Sequence, residues 1–275
     1  MSLEAEFRLT DHAGVPLAAR ELIWDVFFRS RGRGVTLTYH YPWMDSQDDI
    51  RCLTINWIGD VSSPCVATLI IKKMVVAQIG IVGLIGFVCV HRDYRGRKLS
   101  AALLDSARSS AERDGMVALL LWTSQPRIYE NIGFRVDLVE LFGSVCRPAV
   151  DAGGADLIET RRSIAVSESH EFGVPAFATA TLVYRSRNAT LYACRVGTSL
   201  SLVQWSGSVS EVIEVIRLAF PTEWQINVAQ ADPLLDALSK QRFSLKLAPA
   251  TYRMVLPCNR IGDLRVPPIG FLQRI

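Results

Sequence analysis

Apolar and polar residues alternate along the chain in blocks that predict a mixed α/β fold. In residues 15–29 the apolar side chains recur at helical spacing and predict a helix. Residues 52–58, 66–72 and 78–90 are nearly continuous apolar runs, which are typical of buried β-strands. The run that ends at residue 90 contains several glycines and is shorter than the about 20 apolar residues of a membrane-spanning helix.

The same alternation of strands and helices continues beyond residue 90. Residues 99–113 are predicted to form a helix, because Leu99, Leu103, Ala107 and Ala111 form one stripe and Gly115 follows as a C-terminal glycine. The remaining predicted elements are, in order, strand 117–122, a short helix at 129–131, strands 134–145, 178–184, 189–196 and 199–205, helix 210–219, strand 224–229, helix 233–240 and strand 243–255.

A segment rich in Pro, Gly and Ala, PAVDAGGAD at residues 148–156, is typical of a linker. It predicts two domains, residues 1–150 and residues 151–275. The second repeats the element order of the first, with Phe243 corresponding to Phe134, and we interpret this as a degenerate duplication. The alternative is that any α/β chain shows such alternation.

Composition and charge exclude several classes of protein. The 275 residues are 49% hydrophobic and 21% charged, as in a folded globular protein. A net charge of +3 argues against a nucleic-acid coat or a polybasic membrane binder. The N-terminus lacks the apolar segment of a signal peptide, so we expect a cytoplasmic protein. Six cysteines without CxxC spacing and four unpaired histidines predict free thiols and no metal site.

The segment His91–Ser100, between a predicted strand and a predicted helix, carries the strongest candidate chemistry. The predicted helix begins after Gly, Arg and Lys at residues 96–98, and the sequence offers no obvious capping side chain. The first N–H groups of a helix have no partner within the helix and carry partial positive charge, so basic residues are unfavourable there. A bound anion would pair with both the amides and the basic side chains. The helix in the second half instead begins with Ser208 and Glu211, a capping-box pattern. A solvated basic turn without a ligand is the alternative.

This segment resembles the pyrophosphate-binding loop, Arg/Gln-x-x-Gly-x-Gly/Ala, of the GNAT superfamily of acetyl-CoA-dependent N-acetyltransferases. The resemblance covers about residues 50–145 and implies an α/β fold with a mixed twisted sheet flanked by helices. Residues 151–275 would then form a second, degenerate GNAT-like domain that walls the acceptor cleft or forms an interface. Lys98 stands where the family usually has glycine. The resemblance implies that acetyl-CoA is bound by Cys89, Val90, Arg95, Gly96, Arg97, Lys98, Leu99 and Ser100.

A second motif, YENIGF at residues 129–134, matches the family pattern Tyr-x-x-x-Gly-Phe. The resemblance implies that the Tyr129 hydroxyl protonates the departing thiolate of coenzyme A. Gly133 is expected to end a short helix, and Phe134 is expected to pack where the next strand begins.

The resemblance also implies direct attack of an amine on the acetyl carbonyl, with a main-chain N–H near Cys89 or Val90 stabilising the oxyanion. The attacking amine needs a base. Many relatives carry a glutamate on the strand before the loop, but residues 79–90 contain no carboxylate. His91, whose imidazole is a common general base, and Asp45, in the acceptor-side region, are the candidates. Each could instead be structural, as a strand-end cap or an exposed loop residue.

The leading hypothesis is an N-acetyltransferase that uses acetyl-CoA to acetylate a primary amine of a small molecule. A non-catalytic acyl-CoA-binding or partner-binding module is the alternative, which Lys98 and the missing strand glutamate favour. Acyl transfer to a protein amine is a third hypothesis. We expect no metal, nucleic-acid or membrane partner, and a homodimer is left open.

Overall fold

The computed structural model describes residues 6–29, 32, 34–59, 62–148, 164–258 and 264–275. Most of the predicted linker, residues 148–156, lies outside this description. The chain divides into two compact units. Unit one contains residues 1–137, 252–267 and 274–275, and unit two contains residues 138–251 and 268–273. These ranges differ from the predicted 1–150 and 151–275 because the end of the last strand pairs within unit one.

Unit one is a mixed sheet with helices. Its first five strands form neighbouring pairs in chain order, all antiparallel except β4 with β5, which are parallel. Residues 252–257 of the last strand complete the sheet beside β5. The elements are β1 (Phe7–Ala13), α1 (Leu17–Phe27), α2 (Leu37–His40), β2 (Ile50–Trp57), β3 (Cys65–Val76), β4 (Gly80–Val90), α3 (Leu99–Arg113), β5 (Ala118–Thr123) and α4 (Arg127–Glu130).

The predicted apolar stripe of α3 is confirmed as its packing face. Leu99, Leu103, Ala107 and Ala111 are at most 1% exposed. They pack in one core with side chains of β2, β3 and β5. Burial of each leucine contributes about 1.5–3 kcal/mol, so this face fixes the start of α3 against the sheet.

Unit two repeats this plan. Strands β10 and β11 are parallel and are connected by a helix, as β4 and β5 are connected by α3. Strand β6, which follows α4, pairs antiparallel with β11. Within the described residues, no helix of either unit is long and apolar enough to cross a membrane. The elements are β6 (Arg135–Cys146), β7 (Ala165–Glu168), β8 (Ala180–Arg185), β9 (Ala189–Val196), β10 (Ser199–Gly207), α5 (Val209–Ala219), β11 (Glu223–Ala229), α6 (Pro233–Lys240) and β12 (Ser244–Pro257).

The residues after α4 and α6 support the interpretation as a duplication. Gly133 has a φ of 97°, and Arg242 at the corresponding position has a φ of 63°. Both are therefore left-handed, a conformation that usually ends a helix on glycine. The next residues, Phe134 and Phe243, are 3% and 5% exposed. The two halves thus use the same turn to return the chain to the sheet.

The predicted capping box at the start of α5 is wrong. Ser208 is the N-cap residue, but its side chain accepts no hydrogen bond from the helix. Glu211 turns away and accepts from the main-chain N–H of Asn188 (2.9 Å) and the hydroxyl of Ser186 (2.8 Å). The turn between β8 and β9 thus uses the carboxylate that a capping box requires.

Candidate functional site

Strands β4 and β5 separate part of the way along their length. Their parallel pairing covers only Val82–Leu84 and Ala118–Leu120. Strand β4 continues to Val90, which is paired on its other side with Ala67 of β3. Along residues 85–90, the edge of β4 that faces away from β3 therefore has no strand partner in the described part of the chain. This gap leads directly to the turn before α3.

The alternation of main-chain groups along β4 distinguishes the two predicted N–H donors. The N–H of His91 donates to Val66 O on β3 at 2.8 Å. Because successive amides of a strand point to opposite sides, the Val90 N–H points away from β3, toward the gap, and the Cys89 N–H points toward β3. Of the two main-chain amides, that of Val90 is therefore the one that faces the gap, and the oxyanion role stays a prediction.

The Cys89 thiol is a packing group. The residue is 5% exposed, and burial raises its pKa to about 12. A thiol with this pKa is protonated at neutral pH, so it is a poor nucleophile. All six cysteines are free, as the sequence predicted.

The turn before α3 contains two residues with a left-handed backbone, Gly96 and Lys98. Residues 92–94 form a single turn of 3-10 helix, and Gly96 then adopts a φ of 79°. Lys98 is the N-cap residue of α3, with a left-handed φ of 58°, and no side chain among the described residues caps this end of the helix. A non-glycine residue pays an energetic cost in this conformation, which explains why glycine is usual at the position of Lys98. A Cβ atom added at Gly96 would meet no atom within 4 Å, so the loop is open on that side.

The basic side chains of this turn are exposed, and two of them, Arg92 and Arg97, already have acidic partners, Asp93 and Glu6. Arg97 forms an ion pair with Glu6 at 3.2 Å and lies 5.5 Å from the ring centre of Tyr94. The Nε atom of Arg95 donates a hydrogen bond to Val90 O at 3.4 Å, at the end of the gap. Leu99 differs from its neighbours, because its side chain is in the core and only its amide can face a ligand.

Tyr129 lies in α4, partly buried against the α3 core. Its ring makes an edge contact with Phe134, at 6.1 Å between ring centres. Burial raises the pKa of Tyr129 above its ordinary value of 10, so the phenol is protonated at neutral pH and can act as an acid. The prediction that Gly133 follows a short helix is confirmed, with the helix at Arg127–Glu130.

The two candidate bases have local partners. The His91 ring accepts a hydrogen bond from Asp93 N at 3.4 Å, so it caps its own turn. Asp45 has a 62% exposed side chain and pairs with Arg20 at 2.7 Å. No hydrogen bond or ion pair within the described residues joins Asp45, His91 and Tyr129. Their roles as bases stay a prediction.

An aromatic cluster that the sequence did not reveal surrounds Phe87. This residue has a φ of 50° and lies in a β-bulge, where the pairing of β4 with β3 shifts register. The rings of Tyr41, Phe27 and Trp43 lie 4.9, 5.7 and 6.3 Å from its ring centre. Residues 37–45, which include the predicted acceptor-side residue Asp45, thus form two short helices that pack aromatic rings around the end of β4. A bulge beside a site commonly redirects a side chain in this way.

Residues 274 and 275 lie on the same part of β4 and β5. A Cβ atom at Gly86 would lie 2.6 Å from Ile275 Cγ1, and the Arg274 guanidinium lies 4.6 Å from the ring centre of Trp122. Ile85 packs in the α3 core, so the adjacent Gly86 faces the opposite side of the sheet. A glycine within an apolar strand often marks such a close approach, which is the signal that sequence reasoning could have used.

Comparisons with known proteins identify the same part of the chain. Residues 66–136 match the family described as acetyltransferase (GNAT) domain. No curated protein matches the sequence. Among solved structures, a GCN5-related N-acetyltransferase from Kribbella flavida is 12% identical, with 92% of this chain and 72% of that chain covered and a TM-score of 0.58.

Two further structures have the same fold. A GCN5-related N-acetyltransferase from Anabaena variabilis is 12% identical, with coverage of 92% of this chain and 73% of that one and a TM-score of 0.61. Eis1 from Mycobacterium abscessus is 11% identical, with coverage of 90% and 73% and a TM-score of 0.57. The predicted α/β fold is thus confirmed over nine-tenths of the chain, and residues 66–136 match the model of a GNAT acetyltransferase domain.

Proposed function

We propose that this protein transfers an acetyl group from acetyl-CoA to a primary amine of a small molecule. The observation that carries the proposal is the continuous path from the gap between β4 and β5 to the uncapped, basic start of α3. Unpaired strand groups suit the amide-containing arm of coenzyme A, and helix N–H groups with basic side chains suit its diphosphate.

The residues of the turn would bind the diphosphate through two kinds of group. The amides of residues 96–100 precede the first hydrogen-bonded turn of α3 and supply N–H donors. Arg95 and Lys98 are exposed and supply positive charge. Gly96 keeps the approach open.

The chemical step follows from the groups at the gap. The amine nitrogen attacks the acetyl carbonyl carbon and forms the C–N bond, while the carbonyl oxygen gains negative charge near the Val90 N–H. The C–S bond then breaks, and Tyr129 donates its proton to the departing thiolate. The amine proton passes to a base, for which His91 and Asp45 are the candidates.

The aromatic cluster around Phe87 supports a small-molecule acceptor with an apolar part. Rings of Tyr41 and Trp43 are partly buried, and the Trp43 ring has the Lys72 ammonium 5.4 Å from its centre. Because the Lys72 cation already lies over the Trp43 ring, the cluster suits the apolar part of the acceptor rather than its ammonium group. The two-domain organisation as tandem GNAT-like halves, the homodimer and the cytoplasmic location stay predictions.

A non-catalytic acyl-CoA-binding module is the second candidate function. It is favoured by one observation: His91 and Asp45 are both engaged by neighbouring residues. Such a module would bind acetyl-CoA through the same turn but would release no thiol in the presence of amines.

Two measurements test the proposal. Isothermal titration of acetyl-CoA should give a Kd that increases about tenfold or more in Arg95→Ala and in Gly96→Val, because each removes a diphosphate contact or closes its approach. Arg108→Ala is the matched control, since Arg108 is an exposed arginine of α3 that pairs only with Glu112. An unchanged Kd in both loop variants would contradict the assigned binding site.

Thiol release in a panel of small amines tests turnover. Tyr129→Phe should lower kcat by about 10²-fold with little change in the Kd of acetyl-CoA, because only the proton donor is lost. Full activity in this variant would remove Tyr129 from the acid role. Acetyl-CoA binding without thiol release for any amine would support the binding-module function instead.

A further inference from the structure

A second groove lies in unit two, on the face of the sheet opposite α5 and α6. Its volume is about 360 Å³, within the range of small-molecule sites. Leu202 and Ile226 point into the helix-covered core, so their strand neighbours Ser201, Gln225 and Asn227 point to the other face. We call this the β10–β11 groove. All of its lining residues belong to unit two.

Polar side chains at the bottom of the groove lack hydrogen-bond partners. Ser201 is 3% exposed and pairs in register with Gln225 on the adjacent strand. The Oδ1 atom of Asn227 is buried and has no partner. No side-chain hydrogen bond of Ser201 or Gln225 occurs in the described part of the chain. An unsatisfied buried polar group costs about 1–3 kcal/mol, so the buried Asn227 oxygen requires an explanation.

The walls of the groove are apolar and uncharged. Phe142 and Phe177 are 40% and 42% exposed, and Phe271 closes the groove from the C-terminal segment. Within the part of the chain that the structure describes, no ionisable side chain lines the groove. A charged ligand would lose its hydration there without gaining an opposite charge, whereas an uncharged ligand would not pay this cost.

We propose that the β10–β11 groove binds a small uncharged molecule that carries a carboxamide and an apolar ring. An amide offers one donor and one acceptor side by side, which is the complement of the Asn227 and Gln225 side chains and the Ser201 hydroxyl. The ring would lie between the exposed phenylalanines. This site does not depend on the proposed acetyl transfer, because it uses no residue of β4, β5 or α3.

Ligand-observed NMR with benzamide, benzoate and benzylamine tests the chemistry of the groove. Benzamide should bind in the millimolar range and about tenfold more tightly than either charged probe. Asn227→Leu should weaken benzamide binding about tenfold, because it removes the buried amide. Gln230→Leu is the control, since Gln230 is an exposed amide just beyond the same strand. Gln225→Leu, at a less buried position, is the second variant if Asn227→Leu does not fold.

Four results would overturn the proposal. The first is equal binding of the three probes, and the second is benzamide binding that neither Asn227→Leu nor Gln225→Leu weakens. The third is sedimentation of a dimer that Phe142→Ser dissociates, which would make the groove an interface between two copies of the chain. Absence of benzamide binding at about 10 mM would likewise refute it.

Discussion

Replacement of Arg253 by methionine is the sharpest test of how unit one is held together. The Arg253 side chain is 3% exposed and donates to both oxygens of Asp137, at 2.9 and 2.8 Å. It also donates to the carbonyls of Val266 (2.6 Å) and Pro267 (2.7 Å). One guanidinium therefore fixes the return of β12 to β5, the start of β6 and the segment that follows β12.

The loss of stability in Arg253→Met can be calculated from the groups that lose their hydrogen-bond donor. The Asp137 carboxylate loses its only ion pair within the described residues, and two carbonyl oxygens lose their donor. Removal of one partner of a buried pair costs about 3–5 kcal/mol. Asp137 keeps a side chain that is 16% exposed and can regain some water, so we expect about 3 kcal/mol. At about 2–4 °C per kcal/mol, the Tm should fall by about 6–12 °C.

Thermal and urea unfolding followed by circular dichroism provide the assay. The double variant Asp137→Leu/Arg253→Met should recover most of the lost stability, because an apolar pair can replace a buried ion pair at little cost. Arg113→Met is the control, since Arg113 has a 68% exposed side chain and should change stability by less than about 1 kcal/mol. The reasoning fails if Arg253→Met loses no more stability than this control, or if the double variant is as unstable as the single one.

Two further predictions concern the two ends of α3, Lys98 at its N-terminus and Asp114 at its C-terminus. In urea unfolding, Lys98→Gly should be more stable than Lys98→Ala by about 1 kcal/mol, because residue 98 has a left-handed backbone. This order is the reverse of the ordinary helix preference, and equal stability of the two variants would contradict the backbone assignment. Burial alone would raise the pKa of Asp114, but hydrogen bonds from Lys73 and Arg51 outweigh it and hold the pKa below 3.8. The stabilisation by the Asp114 carboxylate is complete above about pH 4 and is lost as the pH falls through the folded-state pKa. Asp114→Asn should therefore reduce the fall of the unfolding free energy between about pH 4 and lower pH. An unchanged fall would show that other carboxylates cause it.

Most elements could be predicted because burial follows a simple period along this chain. Helix Leu99–Arg113, strand Ala189–Val196 and helix Pro233–Lys240 have the predicted bounds. Strand β1 was missed because its burial pattern is mixed rather than alternating, with Leu9 40% exposed. Strand β7 was missed for a related reason, since all four of its residues are exposed.

The site was predictable only where its chemistry is local in sequence. The turn at 91–100 and the Tyr129 motif could be read because their residues are adjacent along the chain. The bulge at Phe87 depends on register with β3, and the approach of Ile275 to Gly86 joins residues that are far apart in sequence. Pairing across such separations is set by the packing of the whole sheet, which periodicity does not contain.

The two halves show why a shared fold does not fix a shared chemistry. Neither α3 nor α5 has a side-chain cap, so both present unpaired amides at the N-terminus. The first turn of α3 contains no acidic residue, whereas that of α5 contains Glu211. Hydrogen bonds from Asn188 and Ser186 lower the pKa of Glu211, so it carries a negative charge at neutral pH. A diphosphate would meet opposite charge at α3 and like charge at α5. A few side chains beside a similar backbone therefore explain why the proposed coenzyme A site is assigned to α3 and not to α5.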